Sequence, residues 1–297
     1  MRSKFVVVLV FGAVIVSGLF VVFGQEPDDE VRGAFLSSRP KTTNANAPSH
    51  RHRQRNTNTS ANANSSSSGN ANTSTANRNK NGSKDSAQAI GLGYTLFMRD
   101  AKGRGVRVEP AREFHNGESV RISLEPNIDG YVYVFHTEND GDPEMIYPDA
   151  RLDGGDNSIQ AHVPLEVPSS DETDERLRWF TFYGNGGTEH LYVVVTREPL
   201  QAVPADNDLV TWCSANKDKC PWHPPADVWA RIMQDISRSN VKVVTARTFG
   251  QTQSEKERVA TTRGLGLDKT APQPSVIRMN ASTTAPLLVT VLDLVHK

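Results

Sequence analysis

The chain has 297 residues, with 33 Lys/Arg against 34 Asp/Glu and a formal net charge of −1 that hides an uneven distribution. Residues 41–89 carry seven basic side chains and one acid, residues 1–40 carry four of each, and the 208 residues Ile90–Lys297 are left with −7. A folded part with that balance lacks the basic footprint that nucleic-acid binding requires, so nucleic acid is not expected among its partners.

At the N-terminus, Arg2 and Lys4 precede an apolar run from Phe5 to Phe23, and the small residue Gly24 then meets Gln25-Glu26-Pro27. That layout predicts a secretory signal over residues 1–24. The run is also nearly long enough to span a bilayer, so an uncleaved N-terminal anchor is the alternative, and the membrane is a partner only in that case. Either way the expected location is extracytoplasmic.

Residues 25–89 are expected to form a disordered linker. From Lys41 to Ala89 there is no Val, Ile, Leu, Met, Phe, Trp, Tyr or Cys, and Asn56–Asn77 is built from Asn, Ser, Thr and Ala with one Gly. Without large apolar side chains nothing offsets the entropy of ordering such a segment. Treated as a coil, Lys41–Ala89 would have a mean reach of roughly 40 Å, and about 160 Å if pulled straight. On this reading it is a tether, and Ile90–Lys297 forms one domain at its end.

From Gly91 the apolar pattern has a period of two. Short runs at Tyr94–Met98, Val106–Val108, Val120–Leu124, Tyr131–Phe135, Met145–Tyr147, Ile159–Val163, Trp179–Phe182 and Leu191–Val195 alternate with Asn-Gly and Asp-Gly turn signals. This predicts an all-β domain, an antiparallel Ig-like β-sandwich. Tyr131–Phe135 and Leu191–Val195 are apolar on both faces, as a strand covered from two sides must be. One helix is expected in the C-terminal half, at about 225–238, where Val228, Trp229, Ile232, Met233 and Ile236 form a single stripe. The end returns to strand at Ser275–Met279 and Leu287–Val295.

Cys213 and Cys220 are the two cysteines. An even count in an exported chain predicts a disulfide between them, closing a short polar stretch. No nucleophile elbow, zinc-binding helix motif or phosphate-binding loop is present, so no catalytic residue is assigned. His136 and His162 lie in predicted strands and are read as surface or hydrogen-bonded residues. The one acidic cluster is Asp140, Asp142 and Glu144 before a short strand's far end and Asp153 and Asp156 after it. Oxygen ligands at a loop-rich edge suit a hard cation, but the spacing is not that of an EF-hand and Asp-Gly turns are acidic anyway, so no cofactor is expected, with Ca²⁺ at these acids as the alternative.

The segments Leu96–Asp100, Val106–Pro110, Phe114–Arg121, Pro126–Val134, Met145–Pro148, Trp179–Phe182 and Glu189–Val195 together resemble the bacterial domain-of-unknown-function family 4384, over about residues 93–199. The resemblance implies a β-sandwich accessory domain and transfers no catalytic residue. The expected function is therefore an exported, tethered, non-catalytic binding or interaction module of the bacterial cell envelope, with an envelope protein or polymer as its partner. The alternatives are a cation-dependent extracytoplasmic hydrolase using the acidic loops, and a structural cell-wall spacer.

Overall fold

A computed structural model describes residues 27–41 and 88–297, apart from Leu152 and Asp171. The apolar run Phe5–Phe23 and most of the polar segment lie outside the described residues. Within them, no helix is long and apolar enough to cross a membrane.

The described residues form two sheets. One has seven strands, in the order β11 (Val241–Thr245), β12 (Val276–Asn280), β1 (Gly91–Arg99), β4 (Ser119–Pro126) and β8 (Leu165–Val167). To these β2 (Gly105–Val108) adds beside β1, and β9 (Phe180–Thr181) beside β4. The other has six, in the order β3 (Glu113–Phe114), β13 (Leu287–His296), β10 (Gly187–Thr196), β5 (Gly130–Glu138) and β6 (Glu144–Tyr147), with β7 (Ser158–Ile159) beside β5. Leu92, Leu96, Ile122 and Leu124 from the first sheet and Val132, Val134, Leu191, Val193 and Leu292 from the second share one buried cluster. The two sheets are therefore packed face to face, a mostly-β sandwich. The strands are not all antiparallel, because β3 runs parallel to β13. β5 and β10 approach closely at Gly130, where a Cβ would stand 2.2 Å from the Thr196 carbonyl oxygen, so this position requires glycine.

The described residues hold four helices where the sequence predicts one: α1 (Pro27–Ser37), α2 (Asp206–Ala215), α3 (Ala226–Arg238) and α4 (Glu255–Arg263). They explain why β5 and β10 are apolar on both faces. The outward residues Tyr133, Phe135, Val194 and Val289 are buried under Leu209 of α2 and Val228 and Ile232 of α3. Trp229 of α3 meets Tyr192 edge-on at 4.9 Å between ring centroids. The predicted stripe over 225–238 thus covers a sheet face, with Met233 left at its exposed margin.

α1 corrects the linker expected over residues 25–89. Pro27 opens it, where the missing amide hydrogen costs nothing, and Asp28, Asp29 and Glu30 complement the helix N-terminus. Val31 and Phe35, one turn apart, are buried against Val244 and Ile277 on the outer face of the seven-stranded sheet. Ile90–Lys297 is therefore not the whole of the core-forming chain.

The predicted strand Ile159–Val163 is also shorter than expected. It ends at Ile159, and the chain turns at His162, whose φ is 60°. The buried His162 side chain is taken up by contacts described below.

The outer face of the seven-stranded sheet is polar in the middle. Along β4, Val120, Ile122 and Leu124 face the core while Arg121 and Glu125 face outward, yet both of these are buried. Three arginine–glutamate pairs fill this layer: Arg39 with Glu125, Arg107 with Glu257 of α4, and Arg121 with Glu166. α4 is set by a capping box between Ser254 and Glu257 and ends at Gly264 in the left-handed conformation.

Candidate functional site

β6 and β8 are the outermost strands of their two sheets on the same side of the sandwich. Between them opens a cleft of about 750 Å³. Tyr147 from β6, Leu165 and Val167 from β8 and Phe180 from β9 line it, together with Trp179 just before β9. α2 and the segment after it form the opposite wall through Leu209, Cys213 and Trp222.

That wall is fixed by a covalent bond. Cys213 near the end of α2 is joined to Cys220, with 5.3 Å between the Cα atoms. The polar stretch that the bond closes thus begins inside a helix. Just beyond the disulfide, the Trp222 carbonyl accepts a 2.8 Å hydrogen bond from the Met145 amide of β6, which ties the segment to the sheet edge. On the other wall, the Arg121 guanidinium lies over the Trp179 ring at 4.2 Å and is itself ion-paired with Glu166 at 3.2 Å. The aromatic lining is therefore held by a buried charge pair rather than by apolar packing alone.

The rim is charged. Arg151 Nε donates to Asp149 Oδ1 at 2.9 Å, Lys217 is exposed, and Glu172 accepts from the Thr173 amide at 2.7 Å. Leu177, half exposed at 50%, is an apolar side chain presented at the mouth. An apolar and aromatic floor with a few charged groups around it is the general form of a ligand site.

The five acids predicted to share a cation are placed differently. Asp140 and Asp142 are exposed, Glu144 is bound to His136, Asp156 Oδ1 accepts from the Ser158 amide at 2.8 Å, and the Asp153 side chain lies outside the described set. Among the described residues no group of three or more His, Cys, Asp or Glu side chains is gathered as metal ligands are.

Glu144 belongs instead to a chain of side chains along the six-stranded sheet. His136 Nδ1 stands 3.0 Å from Glu144 Oε1, His136 Nε2 is 2.6 Å from Glu189 Oε2, and His296 Nε2 is 3.0 Å from Glu189 Oε1. Burial alone would lower the His136 pKa, but its hydrogen bonds to the two carboxylates outweigh this and raise it from 6.5 to about 9. Both glutamates are pulled below their ordinary values, chiefly by the hydrogen bond from His136. At neutral pH His136 is an imidazolium locked between two anions. In that state it has no lone pair for a metal and no capacity to accept a proton.

A second cluster was invisible in the sequence. His162 Nδ1 is 2.8 Å from Glu125 Oε1, and His162 Nε2 is 2.8 Å from the Ser38 hydroxyl. The serine–histidine–carboxylate order is that of a nucleophile with its base. Two further contacts tie it to the N-terminal segment. Arg39 grips Glu125 through both carboxylate oxygens at 2.7 and 2.6 Å, so the anion is already neutralised. Ser38 Oγ also donates to the Phe35 carbonyl at 2.6 Å, closing the end of α1. The cluster fastens the N-terminal segment to the sheet.

A family model described as "Domain of unknown function (DUF4384)" matches residues 113–199. The match bears out the suspected family and begins later than the resemblance traced from about residue 93. It contains β6, β8, β9 and the Trp179 wall of the cleft, while α2 and the disulfide lie beyond it. No curated protein matches the chain. No solved structure matches it.

Proposed function

We propose that this chain is an exported, non-catalytic binding module of the cell envelope that takes its ligand in the cleft between β6 and β8. The observation that carries the reading is the cleft itself: about 750 Å³, lined by Tyr147, Trp179 and Phe180, walled on one side by a disulfide-bound segment and rimmed by charge. Support for the compartment comes from Arg2, Lys4 and the apolar run that follows them, and from the Cys213–Cys220 bond, which persists in oxidising surroundings. The rigid setting of the aromatic wall by Arg121 and Glu166 supports binding, since a preformed site loses little entropy when it is filled.

The test uses the full chain and the fluorescent probe ANS, which enters apolar sites. Binding should quench Trp179 and Trp222 emission, and Leu177→Asp at the exposed mouth should weaken it about tenfold without changing the melting temperature. Soluble cell-wall glycan fragments and extended apolar peptides are then tried as competitors. If ANS binds with the same affinity to the Leu177→Asp chain, the cleft is not the site.

A further inference from the structure

We infer that Pro27–Lys41 is a built-in ligand of the seven-stranded sheet, so that the folded domain sits at the end of the N-terminal apolar run and not at the far end of the polar segment. The apolar run ends at Phe23 and α1 begins at Pro27, so the leash between them is about 10–15 Å at full extension. Both ends of the polar segment belong to the described domain: the 46 residues 42–87 lie in sequence between Lys41, at the end of the docked segment, and Gln88, just before β1.

The attachment has three parts that reinforce one another. Val31 and Phe35 are buried, at 4% and 0% exposure, against Val244 and Ile277. Phe35 also lies against β1: a Cβ on Gly91 would stand 3.0 Å from its ring, and one on Gly93 would meet that ring at 3.0 Å and Pro274 at 2.5 Å. Next, Arg39, itself 3% exposed, makes its paired contact with Glu125 and donates to the carbonyls of Ala271 at 2.9 Å and Pro272 at 3.1 Å. Finally, Ser38 meets His162, and the Pro40 carbonyl accepts from the Lys269 amide at 3.1 Å.

Withdrawing Arg39 would leave Glu125 as a buried anion without its paired guanidinium, hydrogen-bonded to His162, and withdrawing α1 would open the apolar face formed by Val244 and Ile277. Nothing in these contacts depends on the chain continuing beyond Lys41. The segment should therefore remain bound when the covalent link to Gln88 is cut.

The experiment inserts a site-specific protease recognition sequence between Asn56 and Asn77 of the full chain and cleaves it. In gel filtration at physiological salt, the N-terminal piece should co-elute with the remainder of the chain. Hydrogen exchange of the intact protein should show the amides of Phe35–Arg39 slowed at least about 100-fold. Phe35→Ala should release the cut piece and abolish that protection, while protection in β5 and β10 is retained, separating undocking from global unfolding. A cut piece that elutes alone from the unsubstituted protein, or amides of Phe35–Arg39 that exchange at the unprotected rate, would overturn the inference.

Discussion

Arg107 is a fully buried cation, and removing it gives a direct measure of the buried charge layer. It is 1% exposed on β2, ion-paired with Glu257 of α4, and its Nη1 donates to Thr95 Oγ1 at 3.3 Å, the Gln273 carbonyl at 3.0 Å and Ser275 Oγ at 3.2 Å. Burial pushes the guanidinium pKa below its ordinary value and Glu257 opposes the shift, yet an arginine stays charged at neutral pH. Arg107→Met fills much of the same volume but leaves the Glu257 carboxylate without its cation, held only by Ser254, and takes the donor from four acceptors, Thr248 Oγ1 at 3.4 Å being the fourth. The expected cost is about 3–5 kcal/mol, the usual penalty for leaving one half of a buried pair. For a domain of this size that lowers the melting temperature by roughly 6–20 °C. Urea unfolding followed by tryptophan emission measures it. The paired substitution Arg107→Met with Glu257→Gln should cost less than the sum of the single changes by about 1–3 kcal/mol, because no uncompensated charge remains. Additive costs, or an Arg107→Met protein within about 1 kcal/mol of the parent, would refute the account of this layer.

His136 gives a pH signature. Its folded pKa of about 9 lies above its ordinary 6.5, so its contribution is complete below pH 6.5 and lost as pH rises through about 9; with a side chain 24% exposed, solvent screening leaves about 1–2 kcal/mol of it. His136→Gln should flatten the alkaline fall in stability, and an unchanged slope in urea midpoints between pH 6.5 and 9 would argue against the bridged imidazolium. Glu144 and Glu189, with depressed values, act in the opposite sense and lose their contribution as pH falls below the ordinary 4.5. Reduction of Cys213–Cys220 reopens a loop with a sequence separation of 7 and should lower stability by about 2–3 kcal/mol, with faster hydrogen exchange first in the segment carrying Trp222. Unchanged melting after confirmed reduction would show that the wall is held without the bond.

What the sequence made legible was whatever is written in apolar period. β5, β10 and β13 were readable because their two-sided apolar runs require cover on both faces, and α3 because Val228, Ile232 and Ile236 repeat on one side. α4 has no such stripe: what it buries is Glu257, Ala260 and Thr261, and its signal was the Ser254–Glu257 capping box. α1 carried a legible start in Pro27 and its three acids, with Val31 and Phe35 one turn apart. It is masked in the sequence because it adjoins a segment with no large apolar residue and is too short to stand out from it. The cleft was half legible. Trp179 and Phe180 could be read as a strand, but its charged support joins Arg121 to Glu166, and local patterning contains no trace of a pairing made only by the fold. The acids lie close together in sequence, yet Glu144 is drawn to His136 across the β5–β6 ladder, a partner that only register reveals.

The family match spans residues 113–199, and the fold shows why that segment alone cannot close the sandwich. In the seven-stranded sheet, β1 stands between β12 and β4; in the six-stranded sheet, β13 stands between β3 and β10. Both of these inner strands lie outside the match. β13 pairs with β10 along its whole length, from Gly187 opposite His296 to Thr196 opposite Leu287. Its Leu288, Val289, Leu292 and Leu294 are all 3% exposed or less. Burying four such side chains contributes about 6–12 kcal/mol, comparable with the roughly 5–15 kcal/mol that separates a whole domain from its unfolded state. Truncation after Asn280 should therefore give an insoluble or unfolded chain, seen as loss of near-UV circular dichroism and of a cooperative urea transition. It would also free a full edge of β10, a template for aggregation. A truncated chain that stays soluble and unfolds cooperatively would mean that β3 or another element closes the gap, and that the segment recognised by the family is nearer to a complete domain than this register allows.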